Sequence, residues 1–176
     1  MTQSTNKSAL QASPWVTRHA PLIPKGGQVL DVACGKGRHT RYLNELAYQV
    51  VATDKDLSGI HDLKGNRNIE LIETDLESGN WPFKKSQFTG IIITNYLYRP
   101  HFPDIARSLA PNCLLIFETF AAGNEKFGRP HNPDYLLQAN ELLRAFMNTL
   151  DIITFEHAYD AHPHPAVRQR ICGRRR

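Results

Sequence analysis

Residues 28–40, Gln-Val-Leu-Asp-Val-Ala-Cys-Gly-Lys-Gly-Arg-His-Thr, limit the possible folds of this chain more than any other stretch. The apolar run over 29–33 reads as a buried parallel strand. Gly35 and Gly37 end it, and a helical pattern follows from Arg38 to about Leu46. The result is a strand, a glycine turn and a helix. A backbone without Cβ can approach a ligand closely at such a turn, and the first N–H groups of the helix are left free to bind one.

The spacing of the glycines bears on the ligand. A dinucleotide fingerprint would run Gly-x-Gly-x-x-Gly. Counted from Gly35 its third position is Thr40, so that fingerprint is incomplete. Counted from Asp31 the pattern is Asp-x-Ala-x-Gly-x-Gly. This resembles the first motif of the class I S-adenosylmethionine (SAM)-dependent methyltransferases, with Ala33 where those enzymes usually have a first glycine. A second strand over 49–54 ends in Asp54, 19 residues beyond Gly35, and Lys55 follows. A carboxylate there can accept both ribose hydroxyls of an adenosine ligand. NAD and SAM share that ribose, so Asp54 points to adenosine without separating the two; its plain alternative is a helix cap.

A helix over 57–65, a third strand over 68–73 and a very apolar strand over 88–94 come next. A helix over 103–109 leads to a fifth strand over 113–117 and a loop over 121–133. A long amphipathic helix is expected from Asp134, its apolar side made of Leu136, Leu137, Leu142, Leu143, Phe146 and Leu150. Two last strands, 151–159 and 166–172, read as an antiparallel hairpin. The expected architecture is α/β: a Rossmann-like, doubly wound, seven-stranded sheet, mostly parallel, with a C-terminal antiparallel hairpin and helices on both faces. Residues 9–173 form one domain, after a disordered 1–8 and before a basic tail, 174–176. Residues 9–20 include a short helix whose Trp15 and Arg18 either cover the sheet edge or fold over the cofactor toward the substrate.

The resemblance covers 28–120 by motif and the rest by element order. It is nearest to the small bacterial tellurite-resistance-type branch, whose substrates are unassigned. It implies a cofactor pose. The turn Ala33–Cys34–Gly35–Lys36–Gly37 passes the methionine portion, with Asp31 near its amino group and Arg38, His39 and Thr40 near its carboxylate. Asp54 and Lys55 meet the ribose, Asp75 and Leu76 read adenine, and Asn95 faces the sulfonium. On the substrate side stand Tyr96, Tyr98, Arg129 and His131. Arg99, His101 and Glu118 are the candidate catalytic groups: Arg99 and Glu118 follow strand ends, and His101 could take a proton.

The chain carries a formal charge of +4, but five of its 21 Lys and Arg residues lie in 164–176, leaving 16 against all 17 acids. The body is therefore near neutral, which weakens a broad nucleic-acid face; RNA could meet only the arginine-rich end. Three scattered cysteines suggest neither a disulfide framework nor a zinc site. No stretch approaches the ~20 apolar residues of a membrane span, and no signal core is visible, so a cytoplasmic protein is expected. The leading expectation is a SAM-dependent methyltransferase for a small-molecule acceptor. A SAM- or nucleotide-binding regulatory or RNA-associated module without turnover, and an NAD-dependent oxidoreductase, remain as alternatives. Oligomeric state is open.

Overall fold

In the computed structural model, residues 11–176 are described; the expectation of disorder over 1–8 lies outside them. Seven strands form one sheet: β1 (Gln28–Val32), β2 (Gln49–Asp54), β3 (Ile69–Glu73), β4 (Phe88–Thr94), β5 (Leu109–Phe120), β6 (Leu150–Asp160) and β7 (Ala166–Arg175). The spatial order is β3-β2-β1-β4-β5-β7-β6. The first five run parallel, and β7 enters antiparallel between β5 and β6. From β1 the chain moves outward to β2 and β3, then crosses back to β4 on the other side of β1. That reversal leaves a crevice at the strands' carboxyl ends, where open α/β sheets bind ligands.

The alternation along each strand divides the core. Leu30, Ile91, Ile93, Leu115, Phe117 and Ile171 face one side. There they pack with the helices α3 (Phe102–Ser108) and α4 (Glu141–Phe146). Val29, Ile92, Leu114, Ile116 and Cys172 face the other. There they meet α1 (Pro14–His19) and α2 (Arg38–Glu45). The chain is thus a three-layer sandwich with the sheet buried on both faces.

Trp15 and Val16 of α1 belong to this second core, so α1 packs on the sheet. Ser13 caps it, its Oγ accepting the Val16 N–H at 3.2 Å. Trp15 is 4% exposed, packed in this core with its ring tilted against that of His19. Arg18 reaches the sheet edge, 3.4 Å from Glu156.

Three expectations need correction. Residues 57–65 are not an α-helix: Ser58–Leu63 form 3₁₀ turns broken at Ile60, whose φ is −133°. The long helix from Asp134 is absent. Pro133–Tyr135 is a single 3₁₀ turn, Leu136 is extended, and Leu137 pairs with Ala121 as an isolated bridge. Asn140 is left-handed, and only then does the six-residue α4 begin; Leu150 already belongs to β6. The expected basic tail, 174–176, also needs correction, because Arg174 and Arg175 close β7. Arg174 donates to the carbonyls of Asn112 and Leu22, Arg175 to those of Arg107 and Leu109, and Arg176 pairs with Asp151.

Arg99 explains how the chain between β5 and β6 is fixed without that long helix. Its Nε and Nη2 donate to the Glu141 carboxylate at 2.5 and 3.1 Å. Its Nη1 donates to the Asp134 carbonyl at 2.6 Å, and Nη2 also to that of Leu136 at 2.9 Å. One guanidinium therefore ties down three points of 134–141. Arg99→Ala is expected to lower the unfolding free energy by about 2 kcal/mol, the scale of charged hydrogen bonds; urea denaturation with an unchanged slope would measure it.

Candidate active site

The turn after β1 is left-handed three times, with φ of 52° at Ala33, 54° at Gly35 and 71° at Gly37. Glycine adopts that region freely, whereas Ala33 holds it at a cost of roughly 1–2 kcal/mol. At Gly37 the tightness is also steric, since a Cβ would meet Ile60 Cγ2 at 2.6 Å. Gly35 differs: a Cβ there would find no atom within 4 Å, so this backbone faces open space. Asp54, at the end of β2, accepts the Gly35 N–H on Oδ2 at 2.8 Å and the Asp56 N–H on Oδ1 at 3.2 Å. Each carboxylate oxygen keeps a further lone pair for a ligand hydroxyl. Lys55 beside it is exposed.

Below the turn lie two buried titratable groups. Asp31 is 1% exposed and accepts the Thr40 hydroxyl at 2.6 Å. Burial pushes its carboxyl up to about 6, against the lowering effect of the Thr40 bonds. His39 is pushed down to about 3, by burial first and by Arg38 second. Its Nε2 accepts the Ser13 N–H at 3.2 Å, so in the neutral ring Nδ1 carries the hydrogen and donates to Thr94 Oγ1 at 3.3 Å. His39, in the first turn of α2, thereby staples the start of α1 to the end of β4. Burial, and then the Asp31 and Asp54 charges, push the Cys34 thiol well above its usual value. It stays protonated despite its place before a helix.

On the other side of the turn, Asp75 is exposed and accepts the Glu77 N–H at 2.9 Å, while Leu76 is buried. Asn95 follows β4 with a φ of 55°. Its N–H donates to the Glu118 carbonyl at 3.0 Å, and its Oδ1 accepts from Arg168 Nη1 at 2.5 Å. From Asn95 opens a cleft of about 630 Å³. Its wall combines Glu77, the β4 end (Asn95, Tyr96, Leu97), the β5 end (Thr119, Phe120) and the strap that carries Arg129, Pro130, His131, Asn132 and Tyr135. Of the expected substrate-side residues, Tyr96, Arg129 and His131 meet here.

The three candidate catalytic groups do not line this cleft, and each has another partner. Arg99 is held as described above. His101 is buried, its ring packed near Trp81 and Tyr98, with Nε2 donating to the Leu76 carbonyl at 2.7 Å. Glu118 is buried and accepts from Arg170 Nε at 3.0 Å. Tyr98 donates to the Glu77 carbonyl at 3.3 Å. These residues brace the cleft from behind.

Asn124 is one residue the sequence did not single out. It is 1% exposed. Its Oδ1 accepts the Val167 N–H at 3.2 Å, and its Nδ2 donates to the Gly128 and Arg129 carbonyls at 3.4 Å. It pins the strap to β7 and sets the backbone that presents Arg129. An Asn inside a Gly-rich loop was the available signal. Among the described residues no cluster of three His, Cys, Asp or Glu is placed to hold a metal, and no helix is long and apolar enough to cross a membrane.

The raised Asp31 pKa has a consequence for folding. Protonated Asp31 favours the folded chain, so this contribution is whole below about 3.8, the ordinary value, and is lost as pH rises to about 6. His39 works in the opposite sense toward acid, so the comparison must be with Asp31→Asn, which retains the acceptor for Thr40. The variant is expected to gain about 3 kcal/mol of stability relative to the parent chain between pH 4 and pH 7. Paired denaturation curves across that range would measure the gain.

Residues 29–112 match the family model of the methyltransferase domain. Curated protein sequences give no match. Solved structures give many. TehB from Haemophilus influenzae superposes with a TM-score of 0.75 at 17% identity, covering 94% of this chain and 63% of TehB. The chain thus spans under two thirds of that protein. The 1,6-didemethyltoxoflavin-N1-methyltransferase of Burkholderia thailandensis, solved with 1,6-didemethyltoxoflavin and S-adenosylhomocysteine, gives 0.71 at 16% identity, over 97% of this chain and 80% of that one. The [4+2]-cyclase SpnF gives 0.72 at 14% identity, over 99% and 84%. The seven-stranded sheet is that of the Rossmann-like methyltransferase fold, and the methyltransferase-domain match runs from β1 to the start of β5, just under half of the chain.

Proposed function

We propose that the chain is a SAM-dependent methyltransferase acting on a small-molecule acceptor. The observation that carries this reading is the junction at Gly35. An open left-handed backbone, held by the Asp54 carboxylate, stands at the carboxyl edge of the sheet beside a cleft that begins at Asn95. The donor set fits the cofactor. Asp54 has lone pairs for ribose hydroxyls, the exposed Asp75 and the Leu76 backbone suit an adenine edge, and the buried Asp31 suits an ammonium group, which would draw its carboxyl into the charged form. When bound, SAM supplies an electrophilic methyl group on a sulfonium, which leaves as a neutral thioether.

The chain's own residues then have positioning to do. Leu97 and Thr119, both buried, and Phe120 line the cleft. His131 offers a proton acceptor. Its Nδ1 lies 3.3 Å from the Glu125 carbonyl and donates to it in the neutral ring. Nε2 is then the lone-pair nitrogen, on a residue that lines the cleft. The neighbouring cyclase of the same fold is a reminder that fold alone does not set the reaction. The reading rests on the cofactor-side donors of this chain.

Asp54→Ala removes the proposed ribose acceptor and leaves the Gly35 N–H unpaired. Affinity for S-adenosylhomocysteine, measured by calorimetry, is expected to fall by roughly 1–3 kcal/mol. Unchanged affinity would remove Asp54 from the adenosine site.

A further inference from the structure

The cleft has a charge direction and an unused donor, and together these describe what fits in it. Its cofactor side is acidic. Burial, followed by the charges of Glu77, Asp75 and Asp54 and the neighbouring Tyr98, pushes the Tyr96 phenol far up, so Tyr96 stays a hydroxyl. That hydroxyl oxygen is shut off from solvent and has no hydrogen-bond partner among the described residues. A buried donor without an acceptor carries a penalty that a ligand acceptor would remove. The strap side is basic. Arg129 is exposed on the cleft wall and enters none of the ion pairs that hold Arg18, Arg41, Arg99, Arg107, Arg168, Arg170 and Arg176. His131 stands two positions on. Between these poles the walls are flat and apolar: Phe120, Tyr135, Pro130 and Leu97.

We infer that the methyl acceptor is a planar aromatic or heteroaromatic acid, its ring between the aromatic walls, its anionic group on Arg129, and an acceptor atom on the Tyr96 hydroxyl. The inference deepens the methyltransferase reading and rests on it. A cationic sulfonium belongs on the side of Asp54, Asp75 and Glu77, and an anion belongs on the side of Arg129. The same polarity disfavours a cationic amine as acceptor, because its charge would face the Arg129 guanidinium, which has no ion pair among the described residues. Arg129 is suited to a carboxylate or phosphate by its planar fork, and its backbone is fixed by Asn124.

The test uses three probes with one ring and three charges: para-hydroxybenzoate, para-hydroxybenzamide and para-hydroxybenzylamine. Each is titrated calorimetrically into the full chain with and without S-adenosylhomocysteine. The benzoate is expected to bind at least about tenfold more tightly than the amide, with the amine weakest. Arg129→Gln should abolish the preference for the benzoate over the amide while leaving both the melting temperature and S-adenosylhomocysteine binding as in the parent chain. Tyr96→Phe should weaken both neutral and anionic probes about three- to tenfold. The inference is overturned if S-adenosylhomocysteine binds while the amine is preferred, while none of the three probes binds, or while Arg129→Gln retains the benzoate preference. Failure of S-adenosylhomocysteine to bind the parent chain overturns the methyltransferase reading itself.

Discussion

The Gly35 N–H to the Asp54 carboxylate contact, at 2.8 Å, extends the pairing of β1 and β2 into the turn on which the rest of the site is built. It joins the turn after β1 to the end of β2 and holds the backbone in a region that only glycine occupies without strain. The turn in turn fixes where α2 starts. That start places Thr40 on the buried Asp31 and His39 on Thr94, and His39 accepts the backbone N–H of Ser13. The position of α1 over the second face of the sheet follows from the same turn. The hydrophobic layers stabilise the chain in bulk, and this polar chain of contacts sets the register between layers at the ligand edge.

The far side of the crevice is organised by guanidinium groups. Arg99 binds the segment before α4, Arg170 binds Glu118, and Arg168 connects Asn95 to β7 while lying over the Phe120 ring at 4.1 Å. Burial lowers the Arg168 pKa, with the nearby Arg170 and Arg38 acting the same way and Glu118 and Asp160 opposing. Arginine suits these places because its fork satisfies several oxygens at once and its charge persists when partly buried. Two functions are thereby separated. The embedded arginines shape the cleft, and Arg129 is left on its wall with no ion pair among the described residues.

Much of the fold is legible in the residues because parallel strands announce themselves. Strands β1, β2 and β4 are apolar runs bounded by turns, and the spacing from Gly35 to Asp54 is a property of one βαβ unit. The segment 134–150 misleads because its leucines fall at helical intervals by coincidence. Leu136 and Leu137 are extended, Leu137 is committed to Ala121, and Asn140 takes a left-handed turn that resets the chain before α4. Tertiary pairing overrides a local period there. The catalytic candidates mislead for a different reason. Arg99 and Glu118 do follow strand ends, but their partners Glu141 and Arg170 lie 42 and 52 residues away. A pairing across that distance leaves no local trace, so a committed arginine and an available one read alike in sequence. Arg129 was distinguishable from Arg99 only once Glu141 was in place.

A crystal structure of the chain with S-adenosylhomocysteine would test the central claim most directly, that the Gly35–Asp54 junction is an adenosine cradle opening onto the Asn95 cleft. The predicted result is a ribose whose hydroxyls lie within hydrogen-bond distance of the Asp54 carboxylate, an adenine against Asp75 and Leu76, and a sulfur directed toward Tyr96. Adenosine bound away from Asp54, or a sulfur directed away from the cleft, would contradict the account.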